Sequence, residues 1–144
     1  MKNRFHFAIT VALMLAGTAA NAASMTVMKS PSCGCCSKWV EHVRAHGFEV
    51  KVVNVDDIMA VKAKAGIPQK MASCHTTMVG GYVIEGHVPT SDIKKLLAQK
   101  PKAKGIAVPG MPIGSPGMEH GDHRQPYQTL LIKADGSTSI FARH

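Results

Sequence analysis

The chain has 144 residues, 17 basic against 9 acidic, and 45% hydrophobic residues with one Trp, two Tyr and four Phe. That length suits one ordinary domain, whose core must be built mostly of Val, Ile, Leu, Met and Ala. The net charge of +8 comes from lysines scattered along the chain without interleaved aromatics, which reads as a solvated surface and speaks against nucleic acid as a partner.

Residues 1–23 read as a secretory signal. Lys2 and Arg4 form a basic n-region, Phe7 to Ala16 an apolar h-region, and Ala20-Asn21-Ala22 an A-x-A-type cleavage site. The apolar run is short for a membrane span, and no later stretch is apolar enough to cross a bilayer. Residues 24–144 are therefore expected as one periplasmic domain with no stable membrane insertion.

Met25 to Lys29 is a candidate strand that Pro31 breaks. Ser32 is a good N-cap. From Cys36 onward Cys36, Trp39, Val40 and Val43 recur on one helical face, which predicts a helix over roughly Cys35 to His46 that Gly47 stops. Valine-rich Phe48 to Val55 is a second strand. Asp56 caps a helix to about Ala65, ended by Gly66-Ile67-Pro68. A loop through Met71 to His75 leads into a third strand, Thr77 to Ile84. Glu85-Gly86-His87 is a tight turn, followed at most by a short fourth strand. Thr90 or Ser91 caps a last helix, Asp92 to Gln99. This order is that of a thioredoxin-like α/β domain, with its core in 24–100.

Residues 101–126 change character. Their glycines and prolines forbid regular structure, and loops this long in a compact domain are usually functional or disordered. Met111 and Met118 sit seven apart in this frame, followed by His120 and His123. Tyr127 to Lys133 and Ser137 to Ala142 flank Ala134-Asp135-Gly136, a hairpin signal. Residues 127–144 are expected to extend the sheet or clamp the preceding loop.

The chemistry concentrates in Cys33-Gly34-Cys35-Cys36. At a helix N-terminus the unpaired N–H groups and the macrodipole favour thiolate over thiol. Read as Cys33-x-x-Cys36, the motif is the dithiol of a disulfide oxidoreductase, and Cys33–Cys36 is the disulfide expected when no metal is bound. A vicinal Cys35–Cys36 bridge would be strained. Read whole, the motif offers more thiolates than exchange needs. Soft thiolates select Cu(I), zinc or iron–sulfur centres, and adjacent Cys35 and Cys36 suit bridging better than chelation. The paired C-x-x-C spacing of closed zinc sites is absent. In a thioredoxin-like fold, Cys74 and His75 would face this cluster from the loop before the third strand.

Thioethers are good Cu(I) ligands and poor zinc ligands, so Met111 and Met118 are candidate donors with His75. His42 and His46 read as a solvated helix face, Trp39 and Tyr82 as core, Met28 as core, and His87 as a turn residue. Four thiolates in a partly buried pocket carry a charge that needs compensation. Several bridged Cu(I) ions supply it, with neutral His or Met ligands at the cluster edge.

Cys33-Gly34-Cys35-Cys36-Ser37-Lys38-Trp39, Ala72-Ser73-Cys74-His75-Thr76, Val79 to Pro89, and Val108-Pro109-Gly110-Met111-Pro112 with Gly117-Met118-Glu119 resemble the CopG family of periplasmic copper-resistance proteins. This is not the repressor family that shares the name. The resemblance covers nearly all of the mature chain. It implies a thioredoxin-like fold, copper binding through Cys33, Cys35, Cys36 and Cys74, a Met loop at Met111 and Met118, and association with other copper-resistance proteins. The leading reading is a Cu(I)-holding protein, redox-active or not between Cu(I) and Cu(II). The alternative is a thiol–disulfide oxidoreductase with Cys33 as nucleophile and Cys36 as resolver. A domain stapled by inert disulfides is the third reading.

Overall fold

The computed structural model describes residues 23–144. The expected signal, residues 1–23, lies outside them except for Ala23. Among the described residues no helix is long and apolar enough to cross a membrane. The architecture is mixed α/β, with strands β1 (Ser24–Lys29), β2 (Glu49–Asn54), β3 (Thr76–Val79), β4 (Tyr82–Glu85), β5 (Gly105–Ala107), β6 (Gln128–Ile132) and β7 (Thr138–Arg143). The helices are α1 (Gly34–Ala45), α2 (Ile58–Lys64) and α3 (Thr90–Gln99), with a 3-10 turn at Gln69–Met71.

All strands join one sheet in the order β2-β1-β3-β4-β5-β6-β7. β1 runs parallel to β2, and β4 parallel to β5; the other neighbours are antiparallel. Alternating side chains divide the interior. Met25, Val27, Ile84 and Ile106 pack with Trp39, Val40 and Val43 of α1 and Ile93 and Leu96 of α3. Val83, Ala107 and Ile132 form a second cluster with Ile67 and Met71. Met28 is half-buried and lines a cleft with Val61, Ala65 and Met78. Trp39 is fully buried and donates its indole N–H to the Val88 carbonyl at 2.9 Å.

Several expectations are corrected. Cys33, not Ser32, caps α1, its Sγ accepting from Cys36 N at 3.3 Å. Asp57, not Asp56, caps α2 through Ala60 N. α3 begins at Thr90 itself behind Pro89, with no side-chain cap. The single strand expected over Thr77 to Ile84 is a hairpin, β3 and β4, because Gly80 and Gly81 both take positive φ (55° and 81°), the pairing a tight two-residue turn requires. Residues 101–126 are not wholly irregular, since Gly105–Ala107 forms β5 between β4 and β6. The terminal hairpin, β6 and β7, extends the sheet through β5.

Candidate metal centre

The site is assembled where α1 begins. Pro31 and the turn closed by Cys33 N to Ser30 O (3.1 Å) end β1, so Cys33 to Cys36 enter the first helical turn with their side chains clustered. The Sγ atoms of Cys33, Cys35, Cys36 and Cys74 all lie within 4.8 Å of one another. Cys33 and Cys36 form a disulfide, with Cα atoms 5.4 Å apart. Cys35 and Cys74 are free thiols. Cys35 Sγ lies 3.5 Å from Cys33 Sγ and 3.7 Å from Cys74 Sγ.

Cys74 reaches the cluster because a buried carboxylate holds its loop. Glu85, at the end of β4, accepts from Ser73 N and from Lys62 Nζ, both at 2.7 Å, and from Thr76 Oγ1 at 2.7 Å. Lys62 Nζ also donates to Thr76 Oγ1 at 3.1 Å. Both charged side chains are almost wholly shielded from water. On the other side of the loop the Ser73 hydroxyl donates to the Gly110 carbonyl, tying the Cys74 loop to the backbone beside Met111.

His87 is fully buried beside this loop rather than an ordinary turn residue. Its Nδ1–H donates to the Pro116 carbonyl at 2.8 Å. A carbonyl can only accept, so the Nε2 lone pair is left facing Cys74 Sγ, 3.3 Å away. Burial lowers the His87 pKa, against a smaller opposing pull from the Pro116 carbonyl and Glu119. His75 is also fully buried, its ring tilted 45° against Trp39 at 4.4 Å and edge-on at 5.0 Å to His87. Neither His75 ring nitrogen has a hydrogen-bond partner among the described residues. Burial, then His87, Lys62 and Lys29, hold its pKa well below the usual imidazole value, so the ring is neutral.

The Gly/Pro loop packs directly on the start of α1. At Gly117 (φ +83°) a Cβ would come within 2.8 Å of Cys35 O and Trp39 N, so only glycine lets the loop lie this close. Gly117 N donates to Glu119 at 3.0 Å. An open cleft of about 530 Å3 runs beside Cys35, walled by Lys38, Ile113, Met118, Glu119 and His120. Met118 thus lines the same cleft as Cys35. Met111 is 52% exposed. His120 and His123 form an isolated bridge pair with rings 6.2 Å apart. His42 is half-buried against Thr90, with the His46 ring tilted against it at 4.3 Å.

Lys62, Glu85 and His87 are the residues around the Cys74 loop hardest to see in the sequence. A glutamate closing an apolar strand and a histidine two residues later were the available signals.

Burial, and then the neighbouring Cys35, push the Cys74 thiol from 9.0 up to about 12. Cys74 alkylation in the metal-free protein is expected to keep accelerating well past pH 9.0; a plateau at that pH would contradict this environment. Between pH 9.0 and about 12 the unfolded thiol ionises while the folded one stays protonated. The unfolded state then binds fewer protons, so this group lowers folding stability as pH rises through that window.

An α/β protein with four convergent sulfurs and a buried imidazole is one equipped to hold a soft metal ion. The family described as "protein of unknown function, DUF411" matches residues 71–118. Two solved structures, named copper resistance protein copG form 2 and form 1, are each 42% identical to this chain. They cover 85% of it and 98% of their own length, with TM-scores of 0.82 and 0.81. No curated protein matches the sequence. The chain belongs to the CopG family of copper resistance proteins.

Proposed function

We propose that this chain is an exported, periplasmic copper-binding protein of copper resistance, and that it holds Cu(I) in a cysteine-bridged, polynuclear site. The observation that carries this reading is the convergence of the four cysteine sulfurs within 4.8 Å, drawn from two segments far apart in sequence. Residues 1–23 are its signal. Residues 24–100 form a thioredoxin-like core, in keeping with the β2-β1-β3-β4 order; 101–126 supply the Met/His loop and 127–144 the hairpin.

The ligands in this reading are Cys33, Cys35, Cys36 and Cys74. Four thiolates so close repel one another and resist burial unless cations compensate them. One Cu(I) would leave most of that charge; several, bridged by shared sulfurs, bring the site near neutrality. His87 offers its free Nε2 as a neutral terminal donor. His75, with both nitrogens unpartnered one ring behind, and the thioethers of Met118 and Met111 are the further neutral candidates. His120, in the cleft wall, meets incoming metal from solvent. Other periplasmic copper-resistance proteins are the expected donors or acceptors of the copper.

The Cys33–Cys36 disulfide favours a second reading, thiol–disulfide oxidoreduction with Cys33 as nucleophile and Cys36 as resolver. The two readings meet in one balanced step. When Cys33 and Cys36 close to the disulfide they release two electrons and two protons, enough to reduce two Cu(II) to Cu(I). Reopening the bridge takes a two-electron thiol reductant.

Thiol titration after mild reduction separates these readings. The account expects all four cysteines to react in the native protein and all four to be protected by added Cu(I). Thiols that react equally with and without Cu(I) would leave only the oxidoreductase. Thiols that react only after denaturation would mark inert staples.

A further inference from the structure

With the Cys33–Cys36 disulfide closed, Cys74 still has a donor atom on either hand. Cys35 Sγ and Cys74 Sγ are 3.7 Å apart, and His87 Nε2 is 3.3 Å from Cys74 Sγ. Metal–sulfur bonds of about 2.3 Å and metal–nitrogen bonds of about 2.0 Å place donors on one small ion roughly 3.5–4.0 Å apart, so the sulfur pair already fits and His87 Nε2 needs to shift by only a few tenths of an ångström. The His87 ring cannot present the wrong nitrogen, because Pro116 O occupies Nδ1–H at 2.8 Å. A hydrogen bond that fixes the tautomer and orientation of a metal-binding imidazole is a recurrent feature of such sites.

We propose that the disulfide form of the protein retains a mononuclear site, made of Cys35 Sγ, Cys74 Sγ and His87 Nε2, for one soft monovalent ion of the Cu(I) type. The choice of copper rests on the function proposed above; the donor set does not. As the metal binds, each thiol loses its proton to solvent and forms one sulfur–metal bond. Nε2 contributes its lone pair, the disulfide is untouched, and no electron moves. Two thiolates and one monovalent cation leave the site with a single negative charge. Closing the disulfide therefore sets capacity: it withdraws the bridging sulfurs of Cys33 and Cys36 and leaves a one-ion site, so oxidation releases the excess metal and keeps the last ion.

The test is an anaerobic Cu(I) titration against a chromophoric competitor. It uses the oxidised protein, with the intact disulfide verified by mass after alkylation, and the double variant Cys33→Ser/Cys36→Ala, which lacks the disulfide sulfurs altogether. Circular dichroism and thermal unfolding establish that each variant is folded. One copper per chain is expected in both, with two sulfurs and one nitrogen around it by X-ray absorption. Cys74→Ser should abolish this binding, and His87→Gln should weaken it at least about 10-fold, replacing the nitrogen scatterer by a light atom from solvent or by none. No binding in either form, or binding unmoved by Cys74→Ser, overturns the proposal. The reduced wild-type protein is titrated alongside. Several coppers there with none in the oxidised form would sink this site and leave the proposed function standing; one in the oxidised form with no increase on reduction would leave the one-ion site standing and overturn both the polynuclear reading and the control of capacity by the disulfide.

Discussion

Glu85→Ala should destabilise the protein by about 3–5 kcal/mol, the cost of stripping one partner from a buried ion pair. Lys62 Nζ would lose its 2.7 Å carboxylate partner while remaining buried. Ser73 N and Thr76 Oγ1 would lose acceptors as well. Against a total stability of about 5–15 kcal/mol for an ordinary domain, that loss leaves the variant marginal. Because Ser73 precedes Cys74, the same change frees the loop that carries the fourth sulfur. Lys62→Met/Glu85→Leu is the informative control: replacing the whole pair by apolar groups is often neutral or stabilising, so it should recover most of the stability. Denaturant unfolding of the two variants measures both quantities. A cost below about 1 kcal/mol for Glu85→Ala, the range of exposed pairs, would mean that this network does not hold the loop.

What was legible in the sequence, and what was not, follows from the range of the interactions concerned. The cysteine turn and α1 are local: Pro31 breaks the strand, and the spacing of Cys36, Trp39, Val40 and Val43 sets one buried face, all four of which are buried. The approach of Cys74 to Cys35 was reached by placing the strand order in a known arrangement, and the 3.7 Å separation agrees with it. Caps shifted by one residue because Ser32 and Cys33, or Asp56 and Asp57, are adjacent residues that can each accept from a helix N-terminus. The Gly80-Gly81 turn was hidden by the apolar residues on both sides, which read as one continuous strand. β5 has only three residues and exists because β4 and β6 flank it, so nothing in its own sequence announces it. Lys62 and Glu85 are 23 residues apart in sequence. Likewise His87 earns its place beside Cys74 from Pro116, 29 residues onward. Pairings of that range are tertiary facts, invisible to periodicity and propensity.

Cys35→Ser should have the largest effect on metal capacity. Cys35 is the sulfur nearest both the Cys33–Cys36 pair and Cys74, at 3.5 Å from Cys33 and 3.7 Å from Cys74. A bridging position between two sets of donors is one that neither set can replace. Its side chain lines the open cleft rather than the core, so serine should leave the fold intact and remove only the bridge. The measurement is the number of Cu(I) ions bound per chain by the fully reduced protein, wild type beside Cys35→Ser, under anaerobic competition. The account predicts saturation above one copper per chain for the wild type and collapse of that capacity in Cys35→Ser. Saturation at a single copper, unchanged by Cys35→Ser, would contradict it.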